Sequence, residues 1–132
     1  MEVSRVIAAS PSTVWALLAQ PQQWPEWGPS VRAVECDDAE IRVGTRGRVR
    51  TAVGVWLPFT ITAVEHERAW DWQVAGFAAT GHRLDVVDAH HTHVAFTMPV
   101  WALPYAIVCK LALRNLARLA RLARLAADVA VD

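Results

Sequence analysis

The sequence predicts an α+β fold in which a curved antiparallel sheet of about seven strands wraps around one long C-terminal helix. Period-two alternation of apolar and polar residues repeats through residues 31–98, which is typical of strands with one covered and one wet face. One amphipathic stretch runs from Leu103 to about Ala127. Because an apolar sheet face must be covered, and only this helix is long enough, the two are expected to pack together.

The chain begins with a strand candidate at residues 3–9, followed by two short helices before the second strand. Ser10 is suited to be the N-cap of the first helix, and Pro11 occupies the first helical position, where its missing N–H costs nothing. This helix is expected to end before Pro21. Residues 22–29, rich in tryptophan and proline, predict a second tight turn or short helix.

Six further strands are predicted, with hairpin-length gaps between them. They span residues 31–36, 45–51, 59–65, 69–76, 82–87 and 92–98. Side-chain parity predicts a covered face that comprises Val49, Phe59, Ile61, Trp70, Trp72, Val74, His82, Leu84, Val94, Phe96 and Met98. The alternation also sets Ala63 on the same side of its strand as Ile61, and Val86 on the same side as Leu84. On the outward face, Arg46, Arg48 and Arg50 are expected to form charge ladders with Asp71 and the region of Arg83 and Asp85.

The terminal helix has a basic stripe and an apolar side. The stripe comprises Lys110, Arg114, Arg118, Arg121 and Arg124. The apolar side comprises Tyr105, Val108, Cys109, Ala112, Leu116, Leu119 and Ala123. Small residues at Ala106, Ala112 and Ala123 are expected to leave space against the sheet. The stripe fits either a solvated outer face, with late arginines favouring the helix C-terminus, or a surface that touches anionic lipid.

Composition narrows the class of protein. The 132 residues predict a single domain over residues 1–132, and the formal net charge of +0 gives no reason to expect nucleic acid as a partner. No stretch reads as a membrane span or secretory signal, so a cytoplasmic location without stable membrane insertion is expected. Cys36 and Cys109 lack metal-ligand spacing and are interpreted as buried thiols in a reducing compartment. The oligomeric state, monomer or homodimer, stays open.

Tryptophan is the unusual residue type, with seven copies against one tyrosine and three phenylalanines. Three tryptophans and three prolines fall within residues 15–34. Since indole is large and its N–H needs a partner when buried, this cluster suggests the wall or mouth of a cavity. We expect Trp24 and Trp27 to form the rim of a space between sheet and helix; plain core packing is the alternative.

Two polar residues are candidates for chemistry. His82 points inward by parity, where a neutral imidazole can hydrogen-bond a ligand or transfer a proton; a satisfied core histidine is the alternative. Tyr105, the sole tyrosine, is a possible second anchor. Residues 88–93, DAHHTH, superficially resemble a metal site, but a solvated hairpin tip lacks the ligand set of catalytic zinc, so no metal and no cofactor are expected.

Several segments together resemble the SRPBCC or START-like superfamily, of the polyketide cyclase/dehydrase and lipid transport type. They are VIAASPSTVWALLAQPQQWPEWGPSVRAVE, VGTRGRV and FTITAVEHERAWDWQVAG, with the patterns P-x-x-V-W and W-P-x-W. The resemblance, from Val6 to about Ala120, implies a helix-grip fold with an internal cavity for a hydrophobic or aromatic molecule. The chain lacks the extra carboxylate and arginine constellation expected of a cyclase, and its last helix is more basic than usual in the family.

The resulting hypothesis is a carrier or sensor of a small lipid-like or polyketide-like ligand. The alternatives are a polyketide aromatase/cyclase-type enzyme using the same cavity, and an interaction module using the basic helix. An enzyme requires at least two polar groups converging inside, whereas a carrier requires only the cavity. The expected ligand-binding residues are Trp24, Trp27, Phe59, Trp72, His82, Phe96, Met98, Trp101, Tyr105 and Cys109; His82 and Tyr105 are the candidates for catalysis.

Overall fold

The computed structural model describes residues 2–98 and 106–131, with side chains of the terminal helix described over 107–126. The elements run β1, α1, a 3₁₀ turn, α2, β2 to β8 and α3. Their bounds are β1 Glu2–Ile7, α1 Pro11–Ala19, the 3₁₀ turn Pro21–Gln23, α2 Trp24–Trp27, β2 Val31–Cys36, β3 Arg46–Thr51, β4 Trp56–Glu65, β5 Ala69–Val74, β6 Phe77–Ala78, β7 Gly81–Asp88, β8 His91–Thr97 and α3 Ala106–Val131.

The predicted α+β class and the long terminal helix are confirmed. All strands belong to one antiparallel sheet. Seven of them follow the order β1-β8-β7-β5-β4-β3-β2, and β6 pairs with β5 alone. The structure has one strand more than the predicted seven. This additional strand is β6, which is only two residues long. Helix α3 packs against α1, α2 and β1.

Helix α1 begins as predicted. Ser10 adopts an extended conformation, and its hydroxyl accepts a hydrogen bond from the Thr13 amide at 3.3 Å. Pro11 is the first helical residue. The helix ends at Ala19, before Pro21, so the N-cap and proline signals predicted both ends correctly.

Three inward assignments were wrong, each for a local reason. The register of β4 against β5 shifts between Ile61 and Ala63, so Ala63 is exposed and Val64 turns towards the core instead. Val86 is 64% exposed, next to a shift between Val86 and Asp88 at the far end of β7. Ala123 lies in residues 121–126, all of which are exposed. The shift in β4 reverses parity at Ala63, whereas Val86 precedes the shift in β7 and lies among residues 85–88, all of which are exposed.

The sheet separates at the middle of β5. Strands β5 and β7 pair only through Ala69 with Arg83 and Trp70 with His82. Beyond that point, the rest of β5 pairs with β6. The Trp72 carbonyl still accepts a hydrogen bond from the Ala79 amide at 3.1 Å, so β5 changes its partner from β7 to β6 beside Trp72, next to the candidate site. Within the described residues, no helix is both long and apolar enough to cross a membrane.

Candidate functional site

Trp24 and Trp27, which are expected to line the space between sheet and helix, are both buried side chains. Trp24 is 1% exposed and Trp27 6% exposed. Their indole N–H groups donate to the carbonyls of Leu18 at 2.8 Å and Leu17 at 2.9 Å. These carbonyls belong to the last turn of α1, where no further helical amide is available. The two tryptophans therefore cap the C-terminal end of the preceding helix.

The tryptophans meet the sheet in a continuous aromatic cluster. Trp24 stacks on Trp70 with ring centroids 5.2 Å apart, and Trp70 stacks on His82 at 3.8 Å. Trp72 meets Trp24, Trp70 and His82 edge-on. Rings arranged by offset stacking and edge contacts stabilise one another beyond the area that they bury.

His82 is the ionisable group at the centre of this cluster. Its Nδ1 lies 3.3 Å from the Trp70 carbonyl oxygen, an arrangement in which Nδ1–H donates and Nε2 is the free acceptor. Burial lowers the pKa of His82 from 6.5 to about 3, so the ring is neutral at physiological pH. Nε2 has no hydrogen-bond partner within the described parts of the chain. The site thus contains one neutral, inward-facing imidazole.

The aromatic cluster also contains two buried indole N–H groups. The indole nitrogens of Trp70 and Trp72 have no hydrogen-bond partner among the described residues. An unsatisfied buried donor costs about 1–3 kcal/mol, partly offset here by the aromatic faces around it. Sequence parity does not distinguish these indoles from those of Trp24 and Trp27, because it predicts which side of a strand a residue faces and not which atom its nitrogen meets.

A small space of about 40 Å³ adjoins the aromatic cluster. Among the described residues it is lined by Trp24, Trp27, Gly28, Pro29, Ser30, Val31, Trp70, Trp72, Thr80, His82, Phe96, Val108, Cys109 and Ala112. This volume holds a water molecule or a small functional group, not a whole ligand. It is the inner end of the candidate site.

A larger groove of about 760 Å³ opens outward from the same wall. Its described lining is mainly apolar and comprises Ser30, Val31, Val49, Thr51, Ala52, Val53, Leu57, Trp72, Val74, Phe77, Ala78, Ala79, Thr80, Met98 and Val108. Five of these residues also line the inner space: Ser30, Val31, Trp72, Thr80 and Val108. The two volumes therefore share a wall, of which Trp72 is the largest side chain.

The predicted site residues divide into three groups. Trp24, Trp27, Trp72, His82, Phe96 and Cys109 line the inner space, and Trp72 and Met98 line the groove. Phe59 is 2% exposed and packs edge-on against Trp24, outside the described lining of both. Trp101 and Tyr105 lie outside the described residues. The roles of all these residues in binding stay predictions.

Sequence reasoning missed the groove residues on and around β6. Phe77, Ala78, Ala79 and Thr80 line the groove, yet this segment was interpreted only as a hairpin gap. Phe77 is 78% exposed. Single exposed apolar residues are common on protein surfaces, so Phe77 alone was not a signal for the groove.

The two cysteines are free. Burial raises the pKa of the Cys109 thiol to about 11, and burial also raises that of half-buried Cys36. A protonated thiol is a poor nucleophile and a poor metal ligand. Cys109 therefore contributes to the inner space as a small apolar group.

The outer charges pair differently from the expected ladder. Arg48 forms an ion pair with Glu35 on β2, its Nε lying 3.0 Å from the carboxylate, and its guanidinium lies 4.9 Å from the centre of the Trp56 ring. Asp71 is out of reach because β4 lies between β3 and β5. Arg83 pairs instead with Glu2 at 3.0 Å and lies 4.0 Å from Asp85.

The hairpin histidines form a local contact. His91 Nδ1 lies 2.9 Å from the Asp88 carboxylate. Within residues 2–98 and the described part of α3, no group of three or more histidine, cysteine or acidic side chains is arranged to hold a metal ion.

Comparison with known proteins assigns the family. The sequence profile described as polyketide cyclase/dehydrase and lipid transport matches residues 1–129. The chain belongs to this family. Membership agrees with the resemblance carried by the P-x-x-V-W and W-P-x-W segments, which here form α1 and α2.

Solved structures share the fold of this polyketide cyclase/dehydrase-type chain at low identity. The Zhui aromatase/cyclase from Streptomyces sp. R1128 is 16% identical, with a TM-score of 0.70 over 92% of this chain and 92% of its own. A Mesorhizobium loti protein is 20% identical, with a TM-score of 0.68 over 90% of this chain and 94% of its own. A Bacillus thuringiensis protein is 11% identical, with a TM-score of 0.69 over 90% and 96%. No curated protein sequence matches the chain.

Proposed function

We propose that the protein binds a small hydrophobic or aromatic molecule as a carrier or sensor. The ligand lies in the apolar groove, and its leading end rests against Trp72 and the inner space beside His82. The observation that carries this proposal is the shared wall, because it connects a ligand-sized groove to an inner polar anchor.

The size and chemistry of the groove support an apolar ligand. Its 760 Å³ falls within the range of about 300–1,000 Å³ typical of small-molecule sites. No charged side chain occurs in its described lining, which offers only the hydroxyls of Ser30, Thr51 and Thr80. A ligand with a charged group inside would lose its hydration without a partner, so neutral molecules are favoured.

An aromatase/cyclase-type enzyme is the second candidate, supported by the fold shared with the Zhui aromatase/cyclase. Acid–base chemistry needs groups that exchange protons near neutral pH. In the described lining, His82 has a pKa of about 3 and Cys109 one of about 11, so neither is tuned for that task. This mismatch favours binding over turnover.

Binding is tested with the neutral fluorescent probe N-phenyl-1-naphthylamine. Val74→Arg places a charge in the groove and is expected to weaken probe binding at least about tenfold, because the guanidinium must be desolvated or must exclude the probe. Val86→Arg is the matched control, since Val86 is exposed on β7 and outside the described lining of the groove. Equal affinities in the two variants contradict the groove as the binding site.

The enzyme alternative is tested at His82 with a poly-β-ketone thioester substrate. If the chain only carries a ligand, the substrate cyclises at the same rate with the unmodified protein as without any protein. In that case His82→Ala changes only the affinity for the probe, and modestly. Cyclisation that His82→Ala abolishes would instead establish the enzyme and replace the carrier proposal.

A further inference from the structure

The outward side of α3 is basic along its described length. Lys110, Arg114, Arg118, Arg121 and Arg124 are all exposed, and the described side chains of this helix, 107–126, contain no acidic residue. Arg5 on edge strand β1 joins them across a shallow depression of about 310 Å³ that Arg114, Arg118 and Arg121 also line. These six residues are called the basic face below.

The cations of the basic face have no acidic partner in the described structure. Ion pairs within 4 Å involve Arg42, Arg48 and Arg83, but none of the six. Among the described residues, Arg124 donates a hydrogen bond to the Ala8 carbonyl oxygen at 3.4 Å. The whole chain carries formal charge +0, and eleven of its thirteen acidic residues precede α3.

Helix stability alone does not explain this arrangement. The spacings 110–114 and 114–118 are i,i+4, and 118–121 and 121–124 are i,i+3. Like charges at these spacings repel and destabilise a helix, whereas alternating signs would stabilise it. A solvated face selected only for solubility would gain from mixed charges.

An apolar flank runs beside the cations. Ile107, Leu111, Leu122 and Leu125 are 66%, 43%, 52% and 52% exposed. On a helical wheel they fall within about 60° of one another, adjacent to the basic residues. Cations beside exposed leucine and isoleucine on one helix face are typical of helices that lie in the headgroup region of a membrane.

We propose that the basic face and its apolar flank dock the protein reversibly on anionic phospholipid bilayers. The cations pair with lipid phosphates while the flank enters the boundary of the acyl chains. The phosphates of a nucleic acid would also pair with the cations, but a nucleic acid has no apolar region that would bury the exposed leucines. A second copy of the chain would bring two sets of unpaired cations together. This inference is independent of the ligand proposed for the groove.

The test is co-sedimentation with vesicles of phosphatidylcholine alone and vesicles containing about 30% phosphatidylglycerol, at low and high salt. Binding is expected only to the anionic vesicles and is expected to weaken as salt is raised. The triple variant R114E/R118E/R121E should lose on the order of a hundredfold in affinity, since each cation near an anionic surface contributes roughly fivefold.

Two further variants separate docking from bulk charge. R32E/R46E/R50E changes the net charge equally on exposed residues outside the basic face and is expected to lose less than about fivefold, because screening limits distant charges. L122S/L125S keeps the charge and is expected to bind anionic vesicles at least about tenfold more weakly. Circular dichroism confirms the fold of each variant.

Four outcomes overturn the proposal. They are equal binding to neutral vesicles, an equal loss in R32E/R46E/R50E, no loss in L122S/L125S, and tighter binding to duplex DNA than to anionic vesicles. A dimer in solution that L122S/L125S dissociates would likewise assign the face to a second copy of this chain.

Discussion

At the scale of single residues, burial shifts the pKa of His82 far from the value that a histidine has in water. Its ring stacks on Trp70 and meets Phe96 edge-on at 5.0 Å, so any charge on it would lie among apolar rings. Sequence parity predicted its inward position. Parity does not predict the depth of burial, on which the shift of its pKa to about 3 depends.

This shift predicts an acid-sensitive fold. Above pH 6.5 the imidazole is neutral in both the folded and the unfolded chain; below it, the unfolded chain binds a proton that the folded protein excludes until about pH 3. The contribution of neutral His82 to the free energy of unfolding is therefore fully present above pH 6.5. The free energy of unfolding falls as the pH drops below that value, with a slope approaching about 1.4 kcal/mol per pH unit. Urea unfolding of the wild type from pH 7 down to about pH 5 measures this slope.

His82→Phe should remove most of that slope, because a phenyl ring keeps the stacking and binds no proton. His90→Gln, at an exposed hairpin position, is the control and should keep the wild-type slope. An unchanged slope in His82→Phe would show that another group causes the acid sensitivity.

At the scale of elements, the link between α1 and α2 depends on two indole hydrogen bonds. Trp27→Phe leaves the Leu17 carbonyl without its donor and is expected to lower the free energy of unfolding by about 1–3 kcal/mol, with a further loss from the smaller ring. Chemical denaturation measures the change. Trp56→Phe is the matched control, because Trp56 contacts Arg48 on the outer face and should cost less than about 1 kcal/mol. Equal costs would contradict the capping role.

The elements were largely predictable because their signals are local. Ser10 and Pro11 marked the start of α1, and the alternation of Trp70, Trp72 and Val74 marked β5 and its covered face. Prediction failed at Ala63, where a register shift reverses parity without changing the apolar pattern, and at Val86, which lies in the exposed end of β7. The function of Trp24 as a helix cap was also not predictable, since its acceptor, the Leu18 carbonyl, is a backbone group.

At the scale of the whole molecule, the groove exists because the sheet changes pairing partner. Strand β5 pairs with β7 at Trp70, but with β6 at Gln73 and Val74. A two-residue strand carries too little alternation for its pairing to be predicted from sequence. The family resemblance implied a cavity between sheet and helix, whereas the position of the groove beside β6 follows from this change of pairing partner.

A ligand in this groove is expected to stabilise the whole fold, because the groove exists only in the folded chain. At a free concentration about one hundred times its Kd, N-phenyl-1-naphthylamine should raise the free energy of unfolding by about 2.7 kcal/mol. Thermal unfolding followed by circular dichroism measures this as a rise in Tm that increases with probe concentration. Val86→Arg should show the same rise and Val74→Arg a much smaller one. A rise that is equal in both variants would place the probe outside the groove, and a fall in Tm would mean that the probe prefers the unfolded chain.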